Sequence, residues 1–324
     1  VKTPVLLNPG TNTFFLSSGR GQMGIRLLPA PSSALLNVDD PTLPDLRTGE
    51  PVDTWGAVVV MNASTEWSRD LMLTAHGAGR TTRTPVPPIP PLGVRKVGFR
   101  IQGPAPRGEG PVGIELSLSP SRHRRQSLDQ ARVELRVRRP DQTYKRTFIS
   151  ALDGSVQYYA INPGRQLPAN TRPALFLSLH GASVEGVGQA EAYAPKRWGH
   201  LVSPTNRRPY GFDWEDWGRW DALEVLDLAT RALSPDPSRI YLTGHSMGGH
   251  GTWNLGVTFP DRFAAIAPSA GWISFFSYAG SDPFTNATPV EQMLRRAAAS
   301  SDTLSMATNY LHQGIYIVHG DADD

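Results

Sequence analysis

The spacing of hydrophobic positions changes once along this chain, near residue 145. Before that point several short stretches alternate apolar and polar residues with period two. Val97, Phe99 and Ile101 point one way, and Val112, Ile114, Leu116 and Leu118 form a second set. Val133, Leu135 and Val137 face away from Arg132, Glu134, Arg136 and Arg138. A β-strand turns successive side chains to opposite faces, so the alternation predicts half-buried antiparallel strands. Residues 55–62 and 71–76 are further candidates, and proline-rich turns such as 85–91 separate them. Many short strands punctuated by turns predict a β-sandwich over residues 1–145.

Beyond residue 145 strands and helices alternate. Residues 146–151 and 155–161 flank Asp153-Gly154, a hairpin signal. Residues 174–179 are a continuous apolar run, expected of a parallel strand buried on both faces. Apolar residues at 222, 223, 225, 226, 229 and 233 form a helical stripe. A strand over 239–243, a helix over 247–259 and a strand over 263–268 follow. Thr288-Pro289-Val290-Glu291 is a capping box with proline at N1, so a helix starts there. Residues 315–318 close the series. This order predicts a mostly parallel sheet with helices on both faces over residues 146–324.

Composition narrows the function classes. The 324 residues are 39% hydrophobic, enough for a sizeable core. The formal charge is only +3, although the sequence pI is about 9.3. The densest basic run, Arg122-His123-Arg124-Arg125, is short. Nucleic-acid binding needs a broad basic face, which the sequence lacks. With no cysteine, disulfides, thiolate catalysis and Cys-ligated zinc are excluded. No apolar run reaches membrane-spanning length. The first residue is Val1, which reads as a processed protein or an excised piece.

The candidate chemistry centres on Gly244-His245-Ser246-Met247-Gly248, a G-x-S-x-G pentapeptide between an expected strand and an expected helix. A turn this sharp strains the serine, and side chains two residues either side would collide with strand and helix. Ser246 is then projected above the sheet at a helix N-terminus, where the dipole and the free amide of Met247 favour an oxyanion. His180-Gly181-Ala182 follows the 174–179 strand directly. The amide of Ala182 or Ser183 is the candidate second donor, with His180 organising the loop. An acid is expected after the 315–318 strand, within residues 319–324. Three aspartates there also fit a solvated acidic turn, and a metal loop would need more oxygen ligands. The segment holding Trp198, Tyr210, Phe212, Trp214, Trp217 and Trp220, with Asp213, Glu215 and Asp216 between them, is a candidate pocket wall. Trp214, Tyr210 and His180 are its leading members, and packing of the domain is the alternative for Trp217 and Trp220.

The run 244–253 together with 259–268 resembles the core of serine esterases related to polyhydroxybutyrate depolymerases and feruloyl esterases, of the α/β-hydrolase type. It is equally similar to the prolyl oligopeptidase family, whose motif also ends in a double glycine. The resemblance implies an α/β-hydrolase sheet with flanking helices, and acyl transfer to water on Ser246 without metal or organic cofactor. It puts the acid on Asp323, the fourth residue after His319. Some such esterases carry an N-terminal immunoglobulin-like domain, which fits residues 1–145. A small-molecule or polymeric ester is the expected partner. A secreted or periplasmic setting is expected, with the cytoplasm as the alternative. The order in this fold is serine, acid, histidine, yet none of the eight histidines follows Asp323. The chain is therefore expected to be truncated at its C-terminus, with the base beyond residue 324. A prolyl oligopeptidase-like peptidase and a non-catalytic binding protein on a decayed hydrolase remain the other readings.

Overall fold

The structure is a computed structural model that describes residues 2–16, 24–123, 126–207, 213–278 and 288–323. Arg124, Arg125, Tyr210, Phe212 and Asp324, named above, lie outside the described residues. The chain divides into two compact units: Val1–Val137 with Gly154–Val156, and Arg138–Asp153 with Gln157–Asp324.

The larger sheets of the first unit are two antiparallel ones, of three and four strands. One joins strands Ala34–Thr42, Val52–Asn62 and Val94–Gly103; the other joins Arg80–Val86, Leu71–Gly77, Val112–Pro120 and Asp129–Leu135. The alternating residues read from the sequence face one core, in which Val97, Phe99, Ile101, Ile114, Leu116, Leu118, Val133 and Leu135 are buried. Arg132 and Glu134 are exposed on the opposite face of their strand. The strand Arg80–Val86 has no apolar alternation, because it is an edge strand whose Arg and Thr side chains meet water.

The second unit carries a seven-stranded sheet. Its strands are β1 (Tyr144–Ile149), β2 (Val156–Asn162), β3 (Ala174–Leu179), β4 (Gly199–Ser203), β5 (Ile240–His245), β6 (Ala265–Ser269) and β7 (Gly314–Ile315). They lie in the order β1-β2-β4-β3-β5-β6-β7. β2 and β4 are antiparallel, and every pair from β4 to β7 is parallel. The helices are α1 (Gly186–Glu191), α2 (Asp216–Leu233), α3 (Met247–Thr258), α4 (Phe275–Tyr278) and α5 (Pro289–Ala298).

Residues at the centre of this sheet are apolar because helices cover it. Leu175, Leu177 and Leu179 of β3 are wholly buried, and the α2 stripe of Ala222, Val225, Leu226 and Ala229 packs in the same core. The last strand is shorter than 315–318. Its backbone still follows β6, with Tyr316 N donating to Ile266 O at 3.0 Å and Val318 N to Pro268 O at 3.1 Å. Among the described residues no helix is long and apolar enough to cross a membrane.

Register decides where the loops emerge. Leu179 pairs with Gly244, Gly244 with Pro268, His245 with Ser269, and Ser269 bridges Val318. Four parallel strands therefore end side by side. The loops beginning at His180, Ser246, Ala270 and His319 all issue from that one edge, where open parallel sheets place their ligands.

Candidate active site

Ser246 sits between β5 and α3 with φ 57° and ψ −120°, outside the regions that L-residues prefer. Such a conformation costs on the order of 1–3 kcal/mol and persists only where the surroundings hold it. The restraint here is visible. Ser246 N donates to Ser269 O at 2.9 Å, and Ser246 O accepts from Gly249 N at 2.8 Å and His250 N at 3.1 Å. A Cβ on Gly244 would lie 2.2 Å from Gly248 O, and one on Gly248 would lie 2.1 Å from Leu179 O. Both glycines are thus required by backbone contact, as the pentapeptide predicts. Ser246 is partly exposed, and Met247, the first residue of α3, is buried.

The loop after β3 lies beside this turn. A Cβ on Gly181 would be 3.3 Å from His245 O and 3.6 Å from the Ser246 Cβ. Ala182 follows in an exposed turn, and Ser183 takes φ 62°. Val184 N closes the turn on Gly181 O at 3.3 Å. The two candidate oxyanion donors, the amides of Met247 and Ala182, therefore belong to adjacent elements on one edge of the sheet.

His180 and Trp214, expected at the pocket wall, are wholly buried and offer no surface to a ligand. His180 Nδ1 contacts Gly181 O at 2.9 Å, and its ring meets Trp214 edge-on at 4.9 Å. Burial pushes the His180 imidazole below its ordinary pKa, which keeps it neutral. Trp214 Nε1 donates to His180 O at 3.0 Å. Both residues thus hold the loop after β3 from beneath. Trp217 and Trp220 are instead about half exposed.

Asp323 lies in the loop that follows Val318, on the same edge as Ser246. Its Oδ2 is 3.7 Å from His319 Nε2, and both side chains are 43% exposed. Among the described residues, none of the eight histidines hydrogen-bonds to Ser246 Oγ. His245 Nδ1 contacts Ser269 Oγ at 3.1 Å. His200 Nδ1 accepts from Gly164 N at 3.0 Å, and burial lowers its pKa. His250 lies inside α3, with Nε2 at 2.9 Å from Glu215 Oε1 and Nδ1 at 2.9 Å from Trp272 O.

Asp213, Glu215 and His250 form a group that reading along the chain does not assemble. One ligand atom from each lies within 4.8 Å of the others, which is close enough to hold a metal ion. Burial raises the Asp213 carboxyl pKa. Both His250 nitrogens already have protein partners, so a cation would have to displace the Glu215 contact. The arrangement fits a hydrogen-bonded pair better than a ligand set. The only available clue was the i, i+2 spacing of two acids beside buried aromatics.

With this geometry in place, comparison with known proteins decides the family. The family model described as "Putative esterase" matches residues 133–324, more than half of the chain. The chain belongs to this esterase family. Among curated relatives, it is 30% identical over 138 residues to poly(3-hydroxyalkanoate) depolymerase C of Paucimonas lemoignei, covering 36% of this chain and 32% of that protein. It is 29% identical over 133 residues to feruloyl esterase B of Talaromyces funiculosus, covering 36% and 37%. An uncharacterized secreted protein of Arthroderma benhamiae is 27% identical over 201 residues, covering 53% of this chain and 20% of that protein. The chain thus spans well under half the length of these relatives. Among solved structures, the fluorophosphonate-binding serine hydrolase F of Staphylococcus aureus superposes with a TM-score of 0.43 at 17% identity, covering 56% of this chain and 80% of that one.

Proposed function

We propose that the chain is a serine hydrolase of carboxylic esters, with Ser246 as nucleophile. The observation that carries this reading is the strained backbone of Ser246 at the junction of β5 and α3, beside the loop after β3. Ser246 Oγ attacks the ester carbonyl, and the amides of Met247 and Ala182 hold the resulting oxyanion. The Oγ proton passes to a histidine oriented by Asp323 and then to the departing alcohol. Water hydrolyses the acyl-enzyme. Metal and organic cofactors have no part in it.

The names of the depolymerase and feruloyl esterase relatives support small or polymeric esters as the substrate class, and the secreted relative supports an extracellular setting. In the same reading residues 1–145 are an immunoglobulin-like module, and residues 146–324 are the catalytic domain. The two antiparallel sheets around one core support the first assignment.

The test is a fluorophosphonate probe on the complete gene product, with p-nitrophenyl acetate and a peptide anilide as competing substrates. Labelling of Ser246, lost in Ser246→Ala, with turnover of the ester and not the anilide, is the expected result. A folded protein whose Ser246 stays unlabelled is a binding protein, and cleavage of the anilide alone makes it a peptidase.

A further inference from the structure

The two proposed oxyanion donors sit on different elements, and the chain between Ala182 and Met247 is long. A hole of this kind works only if its donors are held within a few tenths of an ångström of the right separation. Three consecutive residues just ahead of and capping α2 touch both sides. The Asp213 amide points at the Met247 sulfur, 2.8 Å away. Trp214 Nε1 donates to His180 O at 3.0 Å, in the loop that carries Ala182. The Trp214 ring also lies directly on α3, because a Cβ on Gly251 would come within 2.6 Å of it. Glu215 Oε1 meets His250 Nε2 on α3 at 2.9 Å. His250 in turn contacts Trp272 O at 2.9 Å and stacks on that ring at 5.1 Å and 12°, reaching the loop after β6.

We infer that Trp214 and the Glu215–His250 pair are positioning residues of the oxyanion hole, which hold the loop after β3 at a fixed distance from α3. This rests on the esterase reading of Ser246. Neither Trp214 nor His250 has exposed surface, so they act through the backbone they hold and not on the substrate. The Trp214 bond is the more direct of the two, since it ends on the residue two before Ala182. The Glu215–His250 pair fixes the other side by tying the same segment to the first turn of α3.

The experiment uses the complete gene product and three proteins: wild type, Trp214→Phe and Glu215→Gln. Trp214→Phe keeps an aromatic ring against Gly251 and His180 but loses the donor to His180 O. Its kcat for p-nitrophenyl acetate should fall about tenfold while KM stays within about twofold, because the lost alignment is felt in the transition state. Glu215→Gln should show the same split at about fivefold, and serves if Trp214→Phe fails to fold. The decisive readout is the rate ratio between an ester and its thionoester. Sulfur is a poor occupant of an oxyanion hole, so a loosened hole lowers the ratio. A purely structural role would lower the melting temperature and leave both the ratio and kcat unchanged, which would overturn the inference while the esterase reading stands. If wild type neither labels nor turns over, the esterase reading itself fails, and this inference with it.

Discussion

Gly248 is held on two sides by main chain, since a Cβ there would fall 2.1 Å from Leu179 O and 3.1 Å from His180 O. Neither atom is the end of a flexible side chain, so β3 and α3 would have to part. Gly248→Ala should cost at least about 2 kcal/mol in urea unfolding and suppress fluorophosphonate labelling. Unchanged stability would mean that the turn is looser than this geometry requires. Asp221 poses a different residue-scale problem. It is wholly buried on α2, 3.7 Å from the Arg207 guanidinium, which also meets Asp153 at 2.6 Å and Glu224 at 3.8 Å. Burial raises its pKa from 3.8 to about 6. Between those values the folded state binds the proton more tightly than the unfolded state does. The stability from this group is therefore full below about pH 4 and is lost as pH rises through about 6. Asp221→Asn should gain on the order of 3 kcal/mol relative to wild type between pH 4 and 7, at about 1.4 kcal/mol per pKa unit. His180 and His200 pull the opposite way below about pH 6.5, but they do so in both proteins and cancel from the difference. A difference that stays flat across that range would sink the argument. The need for Gly244 and Gly248 was legible in the sequence, because both flank Ser246 at the fixed spacing of a sharp strand–helix turn; that Leu179 O is the atom Gly248 must clear was not, since it lies on β3. The Asp221–Arg207 contact was not, because an aspartate in an amphipathic stripe carries no mark of its partner.

Elements were legible to the extent that their patterns are local. The capping box of α5 is formed as its residues predict, with Thr288 N donating to Glu291 Oε2 at 2.8 Å and Glu291 N to Thr288 Oγ1 at 3.4 Å. Yet none of the residues of α5 is buried, and Val290, Met293 and Leu294 stand exposed. The cap thus stabilises a helix that packing does not. Thr288→Ala should weaken it by about 1 kcal/mol and speed amide exchange over 292–298, while the global melting temperature barely moves. A large drop in that temperature would show that α5 belongs to the core. β4 was missed for a physical reason: its five residues are too few to show a period, and it becomes a strand by pairing with β2 and β3. β7 was read as longer than it is, because an apolar run marks strand propensity and not the length of the partner it finds.

At the scale of the whole molecule, each unit has its own hydrophobic core, one around Phe99 and Leu73 and the other around Leu177 and Leu242. Calorimetry should resolve two unfolding transitions. Phe99→Ala, at a wholly buried ring, should lower one of them by about 3–5 kcal/mol of stability. Labelling of Ser246 should survive that substitution; its loss would show that the second unit depends on the first for its fold. The sequence by itself determined the change from strands to strand–helix alternation, the sharp glycine-flanked turn at Ser246 and the His180-Gly181 loop, because each is marked by residue types at short, fixed spacings. Only the tertiary structure decided the strand order that sets Leu179, Gly244, Pro268 and Ser269 in register, and so gathers the loops on one edge. It also placed Trp214 and His180 inside the unit and joined Glu215 to His250, 35 residues away. Burial and long-range pairing follow from which surfaces meet, and a one-dimensional pattern shows that a surface is apolar without showing what covers it.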